Sequence, residues 1–166
     1  ASWDEVGLGF LNLIYYNNEA DPSAVRRQIA WRTDFWDVGA RTQIGDVTLM
    51  AQAMTGRTLI VPNAFFFSDT KFESAYLLAG WTISQAWRAA ARVDVFSTDE
   101  KRPFPGNMSE HGNALTVAVN YLPYDWLRLT AEAIRVDSTR NQRTLEGLNP
   151  HAVENQLQLS AKFYLP

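Results

Sequence analysis

Apolar and polar residues alternate with a period of two over several stretches of the chain, which predicts β-strands with two unlike faces. Trp87, Ala89, Ala91, Val93 and Val95 share one face, with Arg88, Ala90, Arg92, Asp94 and Phe96 between them. Leu157, Leu159, Ala161, Phe163 and Leu165 alternate with Gln156, Gln158, Ser160, Lys162 and Tyr164. Leu115, Val117, Val119 and Tyr121 alternate with Ala114, Thr116, Ala118 and Asn120, and Trp36, Val38, Ala40, Thr42 and Ile44 with Asp37, Gly39, Arg41 and Gln43. Residues 47–54 and 127–132 repeat the pattern more weakly. Residues 5–16 and 72–82 also read as strands, but both faces are apolar and the pattern does not assign inside from outside. The prediction is eight strands, at 5–16, 34–44, 47–56, 72–82, 87–97, 113–122, 126–137 and 155–165.

The connections alternate in length. Ile44-Gly45-Asp46-Val47, Ile83-Ser84-Gln85-Ala86 and Pro123-Tyr124-Asp125 are tight turns, whereas 17–33, 57–71, 98–112 and 138–154 are long and polar. Six of the seven prolines fall in turns and loops and the seventh ends the chain, so that none is expected inside a hydrogen-bonded ladder. Arg92-Val93-Asp94 before Ser97-Thr98 echoes Arg135-Val136-Asp137 before Ser138-Thr139, but the second copy has the opposite parity from Arg128 and Glu132. A one-residue bulge near Ala133 would bring Arg135 and Asp137 onto the polar face.

Alternation alone also fits a soluble sheet, and here the aromatic residues discriminate. They make up 13% of the chain, including six tryptophans. Trp3, Trp81, Trp87, Tyr121, Tyr124, Trp126 and Phe163 fall near tight-turn ends, and Tyr15, Tyr16, Phe35, Trp36 and Phe96 near loop ends. Nine residues separate Trp87 from Phe96, about 30 Å along a strand and about 23 Å along a membrane normal after tilting. Two aromatic girdles around a band of Ala, Val and Leu describe an antiparallel up-and-down transmembrane β-barrel, with short periplasmic turns and long extracellular loops. A soluble barrel of lipocalin type would bury the same residues and expose Arg88, Arg92 and Lys162. No run approaches the ~18 apolar residues of a membrane helix. Cysteine is absent, which removes disulfides and thiolate metal sites and suits export through an oxidising compartment. The net charge of −3 gives no reason to expect nucleic acid.

The stretch Asn155-Gln156-Leu157-Gln158-Leu159-Ser160-Ala161-Lys162-Phe163-Tyr164-Leu165 resembles the last strand of bacterial outer-membrane proteins. That resemblance implies an outer-membrane location and recognition by the barrel assembly machinery. Residues 113–137 with 155–165 resemble the C-terminal hairpins of larger porins, loosely the phosphate-selective-porin-like group. The usual terminal aromatic is replaced here by Leu165-Pro166. With no signal peptide and a first segment that begins abruptly in a strand, residues 1–166 read as one barrel domain or as the C-terminal part of a larger barrel, the second being favoured.

The polar face carries Arg41, Arg88, Arg92, Arg128 and Lys162, with Arg135 if the bulge exists, against Asp37, Asp94, Glu132 and Asp137; Gln158 lies among them. One reading is a pore lining with a basic excess, hence a passive diffusion channel for small, anionic solutes without cofactor or metal. Its competitor is a small closed barrel filled by Arg–carboxylate pairs, with a structural or loop-binding role, since eight strands enclose little more than side chains. Trp3, Trp36, Trp81, Trp87, Tyr121, Trp126 and Phe163 are the expected contacts with outer-membrane lipid, and the outward alanines leave room for a homo-oligomeric interface. Ser109-Glu110-His111, in a long loop, holds the residue types of a lipid hydrolase, a distant third, because adjacent residues seldom point at one another. Asn63-Ala64-Phe65-Phe66-Phe67-Ser68 is expected to extend a strand end at the outer aromatic belt.

Overall fold

The structure, a computed structural model, describes residues 2–5, 9–18, 31–63, 66–101 and 108–164, with the backbone alone at 2–5, 61–63 and 66–67. These residues form one antiparallel sheet in which nine strands follow one another in chain order. The strands are β1 (Ser2–Glu5), β2 (Gly9–Asn18), β3 (Trp31–Ile44), β4 (Val47–Asn63), β5 (Phe66–Thr82), β6 (Trp87–Glu100), β7 (Glu110–Tyr124), β8 (Leu127–Arg140) and β9 (His151–Phe163), with the short helix α1 (Asn141–Leu145) between the last two. Among the described residues β1 and β9 do not pair with each other, so the sheet is an open arc.

The expected strand 5–16 is two strands, β1 and β2. Most of the others run further toward the loops than the alternation predicts. The expected loop 57–71 is largely the tip of a β4–β5 hairpin, paired as far as Asn63 with Phe66. Thr58 and Thr70 face each other there, and β-branched residues suit a pleated ladder. The phenylalanine triplet therefore extends the strands at Phe66 and Phe67; Ala64 and Phe65 lie outside the described residues, as do the side chains of 61–67. Trp3 pairs with Leu11 through the backbone, its side chain being outside the description, like Leu165 and Pro166.

Two prolines do fall within strands, against expectation. Pro62 lies in β4 and Pro123 in β7, and the register shifts at both places, between Ile60 and Asn63 and between Tyr121 and Tyr124. A proline has no N–H to give the ladder, and a bulge is where a strand tolerates one. The bulge expected near Ala133 is absent: β8 pairs with β7 without interruption from Leu129 to Arg140. The β3–β4 turn fits the two-residue type that takes glycine first, with Gly45 at φ 58°. Ser84 Oγ holds the β5–β6 turn by accepting from the N–H groups of Ala86 (3.3 Å) and Trp87 (3.1 Å).

Among the described residues no hydrophobic side chain is buried. Leu159 is 76% exposed, Leu157 72% and Val95 58%. A water-soluble protein cannot leave its apolar face uncovered in this way, whereas hydrocarbon solvates it and the strand ladder satisfies the backbone.

The curvature has the matching sign. A Cβ added to Gly112 on the polar face would lie 2.6 Å from the Asp137 carbonyl oxygen and 2.8 Å from both Phe96 Cζ and Ser138 Cβ; at Gly56 it would lie 2.5 Å from the Asp34 carbonyl oxygen and from Phe35 Cβ. Cross-strand Cβ atoms ordinarily stand about 4.5–5.5 Å apart. Side chains converge on the concave side of a sheet, and glycine at such points permits the bend. The polar face is therefore concave and the apolar face convex, the reverse of a lipocalin-type interior.

One side chain ties the loop between β8 and β9 to both strands. Arg143 Nη1 donates to the carbonyl oxygens of Ser138 (3.1 Å) and Pro150 (3.1 Å) and to Ser138 Oγ (3.1 Å), while Nη2 reaches Glu154 (2.9 Å). Arg143→Ala is expected to increase protease cleavage within 141–149 at least several-fold in the folded, membrane-inserted protein, with the strands protected; an unchanged cleavage rate would show that the loop is ordered by other contacts.

Candidate functional site

The register assigns every described strand residue to one of two faces, including those of β2 and β5 that alternation left open. Leu11, Leu13 and Tyr15 join the convex face through Ala40, Val38 and Trp36. Ala75, Leu77, Ala79 and Trp81 join it through Val95, Val93, Ala91 and Ala89.

The apolar band on this face runs obliquely. Along the hydrogen-bonding direction, Ala40, Ala51, Leu77, Val93, Leu115, Arg135 and Asn155 form one row. The last apolar position before polar residues begin is Trp36 on β3, Val95 on β6, Leu115 on β7 and Ala133 on β8. Trp36 lies in register with Thr139, so by β8 the band edge has moved six residues along the strand. That is about 20 Å over five strand spacings of about 4.8 Å, a slope of about 40°. The opposite edge descends likewise from Trp81 through Trp87 to Phe163. A membrane slab cuts tilted barrel strands at this angle, typically ~35–45°.

The same slope corrects two assignments. Arg135 pairs across with Leu115 and Asn155, and Asp137 with Asn113 and Val153. Both therefore sit on the convex face, just beyond the apolar band and off the polar face. Phe96, Tyr16 and Phe35 belong instead to the concave face, where Tyr16 stacks on Phe35 at 5.1 Å. The outward span on β6 is thus Trp87 to Val95, about 27 Å along the strand. Other aromatics whose side chains are described cluster on the convex face. Trp87 stacks on Tyr121 (4.5 Å), Trp126 lies between Tyr124 (5.2 Å) and Phe163 (6.2 Å), and Tyr15 packs on Trp36 (4.6 Å).

On the concave face, at the level of the band, stand Arg41, Arg88, Arg92, Arg128 and Lys162, with Asp37, Asp94, Glu132 and Gln158. Arg92 is tied to Asp94, Nε donating at 2.8 Å, and its guanidinium lies 4.1 Å from the Tyr76 ring centroid. Gln52 donates to the buried Asp37. Among the described residues Arg41, Arg88, Arg128 and Lys162 form no ion pair. Arg128 stands directly opposite Lys162, an arrangement that like charges disfavour. Tyr164 moderates it, its ring centroid lying 5.5 Å from the Arg128 guanidinium and 5.0 Å from the Lys162 ammonium. Arg128 Nε is buried with no hydrogen-bond partner. Asn120 accepts from Thr130 Oγ1 at 2.8 Å one row away.

A recess of about 550 Å³ opens on this face between β2 and β5, with Asn12, Asp37, Arg41, Gln43, Gln52 and Tyr76 in its lining. Tyr76, Asn12 and Gln52 were not singled out by the sequence, because the period of β2 and β5 is blurred and Gln52 lies in a weak strand. Their pairing with β3 and β6 is the missing information.

At the loop ends, beyond the band, charges are mostly paired. Arg57 binds Asp69, Lys71 binds Glu73, and Arg140 Nη2 meets Glu110 at 2.8 Å. The Arg57 hydrogen bond holds the Asp69 carboxyl below its ordinary range. Glu110 pairs with Arg140 on the concave face, whereas His111 pairs with Thr139 on the convex one. Ser109 Oγ accepts from the Glu100 N–H at 2.9 Å. The hydrolase triplet is thus split between faces and does not form a relay. No group of three or more potential metal ligands occurs among the described residues.

An antiparallel, tilted sheet with lipid-facing girdles outside and a charged concave face defines an outer-membrane β-barrel protein. The chain belongs to the phosphate-selective porin O and P family, whose model matches residues 17–160. Its fold is similar to that of OmpT, an outer-membrane protein of Vibrio cholerae. The TM-score is 0.64 against a form lacking loop L8 and 0.63 against OmpT expressed in the outer membrane, each at 13% identity over 95% of this chain. The chain spans 48% and 50% of those two chains. No curated protein sequence matches it.

Proposed function

We propose that this arc forms part of the wall of a passive diffusion channel, closed by further strands, whose lumen is lined by the concave face and favours small anionic solutes. The observation that carries this reading is the imbalance of charge at the level of the band. At this level five cations stand against three carboxylates, Asp37, Asp94 and Glu132, and only Arg92 is ion-paired, with Asp94, while Asp37 accepts from the neutral Gln52. Arg41, Arg88, Arg128 and Lys162, without ion-pair partners, leave this face with a net basic excess between low-dielectric walls, where focusing raises the local concentration of anions. No bond is made or broken in this function and no cofactor takes part.

The smaller-barrel reading requires the charges to neutralise one another, and the basic excess at this level favours the channel instead. Planar-bilayer recording of the full-length protein under a salt gradient tests the proposal. Discrete conductance steps with a reversal potential on the anion side are expected. The triple substitution Arg41→Gln, Arg88→Gln, Arg128→Gln should move that potential toward or past zero without abolishing the steps. An unselective channel insensitive to the triple substitution, or no conductance, contradicts it.

A further inference from the structure

The convex face is not uniform along β8. Within the band it presents Ala133 and Ala131 and then, toward the turn, Leu129 and Leu127; beside the two alanines β7 presents Val117 and Val119, and β9 presents Leu157 and Leu159. Small residues between two ridges of larger ones make a trough along the strand. Its turn-side end opens into a recess of about 530 Å³ beside Trp87 and Tyr121. Its other end is headed by Arg135, the first polar residue of β8 beyond the apolar band, with Asn155 next to it in the same row. No carboxylate among the described residues pairs with Arg135: Asp137, one step on, faces His151 Nδ1 at 3.4 Å. From Arg135 to Ala131 is about 13 Å along the strand and, at the tilt found above, about 10 Å along the membrane normal, about two thirds of the ~15 Å depth of one leaflet's hydrocarbon.

We propose that this trough seats a phosphate-bearing lipid of the outer leaflet, one acyl chain lying over Ala133 and Ala131 and its phosphate bound by Arg135. A guanidinium on the lipid-facing side of a barrel, at the level where headgroups begin, has a planar fork of donors suited to phosphate oxygens. The Asn155 amide can add one more. The seat rests on the convex face meeting lipid and is independent of what passes the lumen, because Arg135 and the concave-face cations point to opposite sides of the sheet.

Native mass spectrometry of the full-length protein in detergent tests it, with dimyristoyl phosphatidic acid, dimyristoyl glycerol and inorganic phosphate as probes. One phosphatidic acid per chain should bind about tenfold more tightly than the diglyceride, the scale of a charge-assisted hydrogen-bond pair. Arg135→Gln should erase that difference and Arg135→Lys restore most of it. Ala133→Phe, which fills the trough, should weaken both lipids, and inorganic phosphate should not displace the bound lipid. Wild-type affinity in both Arg135→Gln and Ala133→Phe overturns the proposal. So does dissociation of an oligomer by these substitutions in lipid-free detergent, which would make the trough a contact between copies of this chain. Heat-modifiable migration of each variant verifies folding, and the conductance test above would be unaffected by any of these results.

Discussion

Val117→Arg is expected to destabilise the membrane-inserted protein by about 2–4 kcal/mol, the cost of arginine near the bilayer midplane on the lipid face of a barrel. Thr116→Arg, one residue away, is expected to cost far less. Val117 is 46% exposed on the convex face, in register with Ala91 and Ala133. Thr116 stands on the concave face between Arg92 and Ile134, where an added cation avoids hydrocarbon and its cost is limited to the like charge of Arg92, on the order of a few tenths to 1 kcal/mol. Denaturant unfolding from lipid vesicles measures both. The contrast is the informative quantity, since two equal losses would mean that both faces meet the same medium. A soluble sheet of the opposite curvature would give the reverse order.

The second large effect concerns curvature. Gly112→Ala is expected to cost about 1–3 kcal/mol, the usual range for overpacking a filled space. The new methyl group must displace the Asp137 carbonyl and Ser138 Cβ as well as the Phe96 ring. Gly39→Ala is the control: Gly39 is also on the concave face, but its added Cβ meets nothing nearer than 3.8 Å. That substitution should be neutral or stabilising by a few tenths of a kcal/mol through reduced chain entropy. Equal tolerance at the two sites, read from the same unfolding curves, would show that the bend at Gly112 is not required.

Most of the architecture was legible from a period of two and the positions of tryptophan, because both are written locally along each strand. Tilt is not written locally. The outward end of the band on β8 comes at Ala133, six residues short of the position in register with Trp36, and a single strand carries no sign of this. Arg135 and Asp137 therefore looked like lumen residues displaced by a bulge, when they are outward residues of a strand leaving the membrane earlier. Phe96 and Phe35 were misread for a related reason. Aromatic residues near loop ends also cover the glycine bends of the concave face, a role set by cross-strand neighbours. Pairing likewise resolved β2 and β5, where apolar residues on both sides hid the phase. Arg41, Arg88, Arg92 and Lys162 lie in strands whose alternation is clean and Arg128 in a weaker one, and the register places all five on the concave face.

Residues 1–166 contain no cysteine, so single cysteines placed along β7 and β8 meet no background from this part of the protein and can be probed in intact outer membranes against the unsubstituted protein. A membrane-impermeant, water-soluble maleimide small enough to enter the lumen should label positions 116, 118 and 132 and leave 117, 119, 131 and 133 unlabelled, with labelling returning at 135 and 137 on the outward face. Labelling of 117, 119, 131 and 133 with protection of 116, 118 and 132 would place the alanine–valine face in water and contradict the account.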